Sequence, residues 1–243
     1  MKLTVLGCSP AWPNPGGAQS GYLVETGDGS VLLDCGPGVL ARLRSAGEWP
    51  EQDAIVITHF HLDHWGDLVP WVWGELYLEG RGHDATRPEL WVPKGGRDIL
   101  EHFGTLLGFP DMFDRAFKPL EYTAGAEFTA GGATIVATKV PHYRMDAHAL
   151  RVTANGKVLA YSADSGPSDD LACAAEGADL FVCEATLQSG KLDGEPRGHL
   201  SLDEALAVHA RSGAKELLIT HRPAELSTPA ELDLAHDGLV RQL

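Results

Sequence analysis

The stretch Thr58-His59-Phe60-His61-Leu62-Asp63-His64-Trp65-Gly66-Asp67 follows directly on the apolar run Ile55-Val56-Ile57 and puts four potential metal ligands within six positions, 59 to 64. The apolar run reads as a buried strand. The cluster therefore sits at a strand's end, where a histidine-rich turn has no packing reason to be. Alternation points His59 and His61 the same way, and a tight turn into a helix brings Asp63 and His64 alongside them. Two neutral imidazoles with partners from elsewhere in the chain make one tetrahedral site of the kind zinc takes. Asp63 and His64 are left over to hold a second metal.

The rest of the chain repeats the same event, an apolar strand that ends on His or Asp. Ala133 to Val140 stops at Pro141 and delivers His142, Val158 to Tyr161 runs into Ala163-Asp164, and Leu217 to Thr220 ends in His221. His148 to Val152 and Val158 to Tyr161 flank Asn155-Gly156, a hairpin signal. Near the N-terminus, Leu3 to Leu6, Tyr22 to Glu25 and Val31 to Asp34 read as closely spaced, antiparallel strands. Asp34-Cys35-Gly36-Pro37-Gly38 opens a helix carrying Val39, Leu40 and Leu43, with Asp34 placed to accept hydrogen bonds or to orient a metal-bound histidine. Helical spacing runs through Leu68, Val69, Val72, Trp73, Leu76 and Tyr77; Trp65, Trp71 and Trp73 could wall a pocket, though an aromatic stripe at this spacing is more often core. Leu90 to Val92 and Leu180 to Cys183 read as strands, and Gly96 to Leu107, Asp169 to Glu176 and Ser201 to Arg211 as helices. Residues 108–120 read as irregular and as a candidate lid.

Early hairpins followed by strand and helix in alternation predict an α/β fold, two mixed β-sheets covered by helices on their outer faces, in one domain over residues 1–243. His59, His142, Asp164 and His221 would then meet at one edge.

Charge and cysteine usage narrow the function classes. Nineteen Lys and Arg against thirty-four Asp and Glu leave a net charge of −15, which disfavours extensive nucleic-acid contact unless a local patch or bound metal reverses the field. Cys8, Cys35, Cys173 and Cys183 form no C-x-x-C pair and read as reduced core residues. With no signal-peptide pattern and no bilayer-length apolar run, the expectation is a cytoplasmic protein without a membrane partner. A homodimer is a candidate assembly. His83, His102, His148, His209 and His236 are expected to be surface or structural.

The ordered set Thr58-His59-Phe60-His61-Leu62-Asp63-His64, His142, Asp164 and His221 resembles the metallo-β-lactamase fold superfamily, a four-layer αββα sandwich. Within it the chain looks most like the branch of the tRNA 3′-processing endonucleases and the related small cyclic-nucleotide phosphodiesterases. Cys183-Glu184-Ala185-Thr186 stands where that branch has His-Glu-Ala-Thr, and Gly198-His199-Leu200-Ser201 where it has His-Ser-Thr. The resemblance implies one metal held by His59, His61 and His142, another by Asp63, His64 and His221, and Asp164 bridging them. Zinc is the first choice, and manganese or iron would also suit these ligands.

What the resemblance implies chemically is a hydrolase in which a metal-bound hydroxide attacks a phosphodiester. Asp63 would orient that nucleophile, and His199, steered by Glu184, would protonate the leaving group or bind the phosphoryl oxygen. Two divalent ions, two aspartates and one hydroxide sum to about +1, so an acidic protein can present a positive centre to a small anionic ester. Departures from the family pattern bear on the substrate. No Gly-rich basic arm that could grip a tRNA is present, and Cys183 replaces the motif histidine. The leading expectation is a phosphodiesterase acting on small phosphate esters. The alternatives are a tRNA 3′-processing endoribonuclease and a hydrolase of a neutral lactone, lactam or thioester.

Overall fold

The computed structural model describes residues 1–46, 49–78 and 87–243, and every structural statement concerns these residues. Thirteen strands are described: β1 Lys2–Gly7, β2 Gly21–Glu25, β3 Ser30–Leu33, β4 Ala54–Val56, β5 Glu89–Pro93, β6 Lys118–Tyr122, β7 Glu127–Ala130, β8 Ala133–Val140, β9 Ala147–Ala154, β10 Lys157–Tyr161, β11 Leu180–Glu184, β12 Glu216–Thr220 and β13 Val240–Gln242. They form one sheet in the order β13-β1-β2-β3-β4-β5-β6 and a second in the order β12-β11-β10-β9-β8-β7. Both sheets are mixed. β1, β2 and β3 pair antiparallel, as expected for the N-terminal strands, and β3 through β6 run parallel.

Strict alternation along the strands builds three apolar layers rather than one. Between the sheets lie Leu3, Val5, Val31, Leu33 and Val56 from the first sheet, and Ile135, Leu150, Leu159, Tyr161 and Val182 from the second. Their neighbours face outward. Leu6, Leu32, Ile55 and Ile57 pack under helices α1 Val39–Leu43, α2 Leu62–Trp65, α3 Leu68–Tyr77, α4 Gly96–Leu106 and α5 Met112–Ala116. Ala160, Phe181, Cys183 and Ile219 pack under α6 Asp169–Ala174 and α7 Leu202–Ser212. Because both faces of each central strand are covered, these strands read as unbroken apolar runs. The result is the expected helix-sheet-sheet-helix sandwich.

Several sequence expectations are corrected. Residues 108–120 are not an irregular lid. They contain α5 and the start of β6, with Met112, Phe113 and Phe117 buried. Of the two readings open for the tryptophans, Trp65 and Trp71 take the core one, under the first sheet. Trp73 lies on the surface, stacked on Tyr77 and Phe109. Cys8, Cys35 and Cys183 are buried thiols, but Cys173 is exposed. β6, β7 and β13 went unread in the sequence, and all three lie at sheet edges. An edge strand needs fewer apolar residues, and β6 opens on Lys118-Pro119, residue types that blunt an edge. His148 is buried with its ring edge on Tyr122, His102 and His236 are exposed, and His209 is half-buried. His83 lies outside the described residues.

A candidate dinuclear metal centre

β3, β4, β8, β10, β11 and β12 all point their C-terminal ends at one edge of the sandwich. That shared direction is what gathers residues far apart in sequence. Asp34 follows β3, His59 and His61 follow β4, His142 follows β8, Asp164 follows β10, Glu184 ends β11 and His221 follows β12. α2 folds Asp63 and His64 back onto the same spot. Its approach depends on Gly36, where a Cβ would overlap the backbone carbonyl of Asp63. Cys35 N donates to the His64 carbonyl at 2.7 Å and locks the two turns together.

The gathered side chains fall into two overlapping sets. His59, His61, His142 and Asp164 can each offer a ligand atom, all within 4.8 Å of one another, and so can Asp63, His64, Asp164 and His221. Asp164 is the shared member. Its Oδ2 lies 3.3 Å from His64 Nε2 and 3.8 Å from His142 Nε2, and its Oδ1 lies 3.4 Å from His221 Nε2. His221 Nε2 is 3.2 Å from Asp63 Oδ2, and His142 Nε2 is 2.8 Å from His61 Nδ1. All seven residues except the half-covered His61 are buried.

Hydrogen bonds behind the rings fix which nitrogen faces inward. Thr58 commits its hydroxyl proton to Asp34 at 2.9 Å, so at the 3.1 Å contact with His59 the imidazole Nδ1–H must be the donor. Thr186 likewise spends its proton on Glu184 at 2.7 Å and receives His221 Nδ1–H at 2.9 Å. His142 Nδ1–H donates to the Gly198 carbonyl at 2.7 Å and His64 Nδ1–H to Asp34 at 2.7 Å. All four imidazoles thus turn Nε2 toward the shared centre, the arrangement in which outer partners orient metal-binding histidines.

The centre is short of partners in a way that a cation would answer. His59 Nε2, His64 Nε2 and Asp164 Oδ1 are buried without a hydrogen-bond partner, although buried polar atoms are ordinarily paired. Burial opposes the charge on Asp63 and Asp164, yet the surrounding imidazoles outweigh it and hold both carboxyls below their ordinary range. Burial pushes His59, His61 and His142 down, toward neutral, ligand-competent rings. His64 goes the other way, raised against burial by Asp164 and Asp34, a local demand for positive charge that a divalent ion would meet in place of the proton. Three imidazoles with a carboxylate, beside two imidazoles with two carboxylates, form a donor set that suits zinc and tolerates manganese or iron.

A third group borders the first two. His199 Nδ1 lies 2.9 Å from Glu184 Oε1 and 3.9 Å from Asp164 Oδ2. Glu184 is fully buried and also accepts from Ser165 N, Thr186 N and the Thr186 hydroxyl. Its lone pairs are taken, so it orients His199 rather than holding an ion. Burial works against a proton on His199, but the charge of Glu184 and its hydrogen bond, with Asp164 and Asp193 behind them, hold the imidazole up at about 9. α7 opens on a capping box, Ser201 N donating to Glu204 at 2.9 Å.

Residues 30–222 match the model of the Beta-lactamase superfamily domain. The chain belongs to the metallo-β-lactamase branch of that superfamily. It is 33% identical to the probable metallo-hydrolase YhfI of Bacillus subtilis (strain 168) over 224 residues, 92% of this chain and 87% of that protein. It is 28% identical to a Ribonuclease Z of Mycobacterium bovis (strain BCG / Pasteur 1173P2), covering 91% and 85% of the two chains. The crystal structure of YhfI superposes with a TM-score of 0.83 at 28% identity over 99% of both chains. A diphosphatase of the PhnP family shares the fold, with a TM-score of 0.78 at 21% identity, over 100% of this chain and 97% of that one. The protein is accordingly a metallo-hydrolase of the metallo-β-lactamase fold with a candidate metal-binding His/Asp cluster.

Other participants were not assigned from the sequence. Thr58 and Thr186 lie inside the motifs and were readable there as hydroxyl partners. Tyr161, whose hydroxyl donates to Asp34 at 2.9 Å, carried no sequence signal. Asp193 carried none either, although it receives Gly198 N at 2.8 Å, His199 N at 3.1 Å and Arg197 Nε at 3.0 Å and so fixes the backbone that bears His199.

Proposed function

We propose that the protein is a dinuclear, zinc-dependent phosphodiesterase acting on small phosphate esters. The observation that carries this reading is His199, held protonated by Glu184 at the border of two ligand sets that share Asp164. His59, His61 and His142 would hold one ion, Asp63, His64 and His221 the other, and Asp164 both. Two bound divalent ions would supply water acidified to near neutrality and positive charge opposite the phosphoryl oxygens. The remaining chemistry belongs to the chain. Asp63, beside His221 and His64, orients the attacking water. His199 Nε2, on the side of the ring away from Glu184, donates its proton to the leaving oxygen or a hydrogen bond to the phosphoryl oxygen. Glu184 keeps that imidazole charged and aimed.

A net charge of −15 supports a small ester over an RNA, because RNA affinity rests on many Lys and Arg contacts to phosphate. The Ribonuclease Z relative keeps RNA cleavage as the second reading. Rates of the metal-loaded protein on bis-p-nitrophenyl phosphate, cyclic AMP, a tRNA precursor, a lactone and nitrocefin decide between them. The small phosphodiesters should be cleaved, with the tRNA precursor poorly bound at physiological salt. Higher catalytic efficiency on the tRNA precursor, or on the lactone or nitrocefin, than on every phosphodiester ester tested would overturn the proposal.

A further inference from the structure

The His199 imidazole is tethered at one atom, and one tether does not fix a ring. Glu184 Oε1 lies 2.9 Å from Nδ1, but the ring can still swing about that bond and carry its free Nε2 off target. Three neighbouring rings limit the swing. His221 stacks on His199 at 5.8 Å between centroids and 17° between planes, while His142 and Tyr143 meet it edge-on, at 4.9 Å and 75° and at 5.5 Å and 76°. His142 and His221 belong to the ligand sets. Tyr143 belongs to neither and, at 41% exposed, not to the core.

Tyr143 is nevertheless pinned. Its backbone sits at φ 50, an uncommon conformation for a bulky residue that persists only where the surroundings enforce it. Tyr143 N donates to the Arg197 carbonyl at 2.9 Å, and Met145 N to the His142 carbonyl at 2.9 Å. The Tyr143 hydroxyl donates to Asp193, the same carboxylate that receives Gly198 N and His199 N. Gly198 leaves room for the ring, since a Cβ there would overlap it, and the His142 Nδ1–H bond to the Gly198 carbonyl closes the circuit. These restraints tie Tyr143 to segment 197–199 and to the histidine before it, so its ring and the His199 imidazole keep one relative position.

We propose that Tyr143 is a positioning residue for His199. Its ring braces the imidazole against pivoting about Glu184, and Asp193, bound to the Tyr143 hydroxyl and to the His199 backbone, sets the spacing between the two. The inference rests on the phosphodiesterase reading only for what His199 does once placed; how the ring is held does not depend on the substrate.

In the zinc-loaded protein, on the phosphodiester turned over best, Tyr143→Leu should lower kcat roughly 10- to 100-fold, the cost of a catalytic group displaced by about an ångström. KM and zinc content should not change. Tyr143→Phe keeps the ring and should keep most of the rate. Tyr143→Leu combined with His199→Ala should be no slower than His199→Ala alone, because a residue that acts through His199 then has nothing to act on. Proton NMR reads the placement without turnover. The Nδ1–H resonance that His199→Ala removes should be protected from solvent exchange in the parent and in Tyr143→Phe, and lost to exchange in Tyr143→Leu. Gly198→Ala, whose methyl drives the ring aside without altering Tyr143, should reproduce both losses even if Tyr143→Leu does not fold. A rise in KM in place of the loss in kcat, a further loss in the combined variant, or an Nδ1–H resonance that survives Tyr143→Leu and Gly198→Ala overturns the proposal. The two proposals can fail separately. A resonance that responds to Tyr143 in a protein that cleaves no phosphodiester refutes the function and leaves the positioning role, and cleavage indifferent to Tyr143→Leu refutes the positioning role alone.

Discussion

The two ends of the second sheet take up the same backbone conformation for opposite reasons. At the N-terminal end of β10, Asn155 and Gly156 turn the β9–β10 hairpin with φ of 54 and 70. Those residue types adopt that turn at little cost. At the other edge of the sandwich, Asp34, Tyr143, Ala163 and His221 hold φ between 50 and 60 without being glycine or asparagine. Each is a candidate ligand, an immediate neighbour of one, or the carboxylate behind His64. The turn edge follows local preference and needs nothing else. The metal edge departs from it and is held by the buried network of Asp34, Thr58, Thr186 and Glu184. Substitutions at the metal edge should therefore act on metal and turnover, and substitutions at the turn edge on stability alone.

The largest effect is expected at Asp164. Asp164→Ala removes the shared carboxylate and should impair both metals and abolish turnover, whereas His221→Ala should mainly weaken one; metal analysis after dialysis separates them. Equal loss in the two variants would contradict the shared role. His199→Ala should lower turnover by about 10²- to 10⁴-fold with metal content unchanged. Intact turnover in that variant, measured at saturating metal, would remove the proton-donor role.

Asp34→Asn is a sharper probe, because asparagine tolerates the φ of 60 while the charge and one of the two accepting oxygens are lost. Metal affinity should fall roughly 10- to 100-fold, as for other partners behind a ligating histidine, and metal titration measures it. Asp193 tests the link between the edge and pH. Burial opposes its ionisation, but Gly198 N, His199 N, Arg197 and Tyr143 hold its carboxyl down at about 2. A depressed carboxyl contributes stability above its unfolded value of 3.8, and that contribution is lost as pH falls through about 2. Denaturant titrations should accordingly show Asp193→Asn less stable than the parent at neutral pH, with the gap closing between about pH 4 and pH 2.

The smallest effect belongs to the turn edge. Asn155→Ala places a methyl at positive φ and should cost about 1 kcal/mol. A chain of this size would then melt about 2–4 °C lower. Unchanged metal content and turnover would complete the contrast, and a loss of either would show that the two edges are not independent.

The sequence by itself determined the central strands, the types of the candidate ligands and where each of them falls. Strands covered on both faces must be apolar throughout, and a His or Asp directly after such a run stands out against it. Edge strands β6, β7 and β13 escaped because one side of each faces no neighbour, so apolarity is not demanded of them. α5 escaped because five residues between Pro110 and Pro119 carry too short a period to read. The pairing of ligands around Asp164 came with the resemblance, and only the tertiary structure put distances to it. Only the tertiary structure, too, decided the inward nitrogens, since the tautomer of His59 is set by Asp34 through Thr58 and that of His221 by Glu184 through Thr186. It placed Asp193 behind His199 and decided for the core, between core and pocket, at Trp65 and Trp71. Each of these depends on which strand ends share an edge, and strand order across two sheets is fixed by packing between residues far apart in the chain.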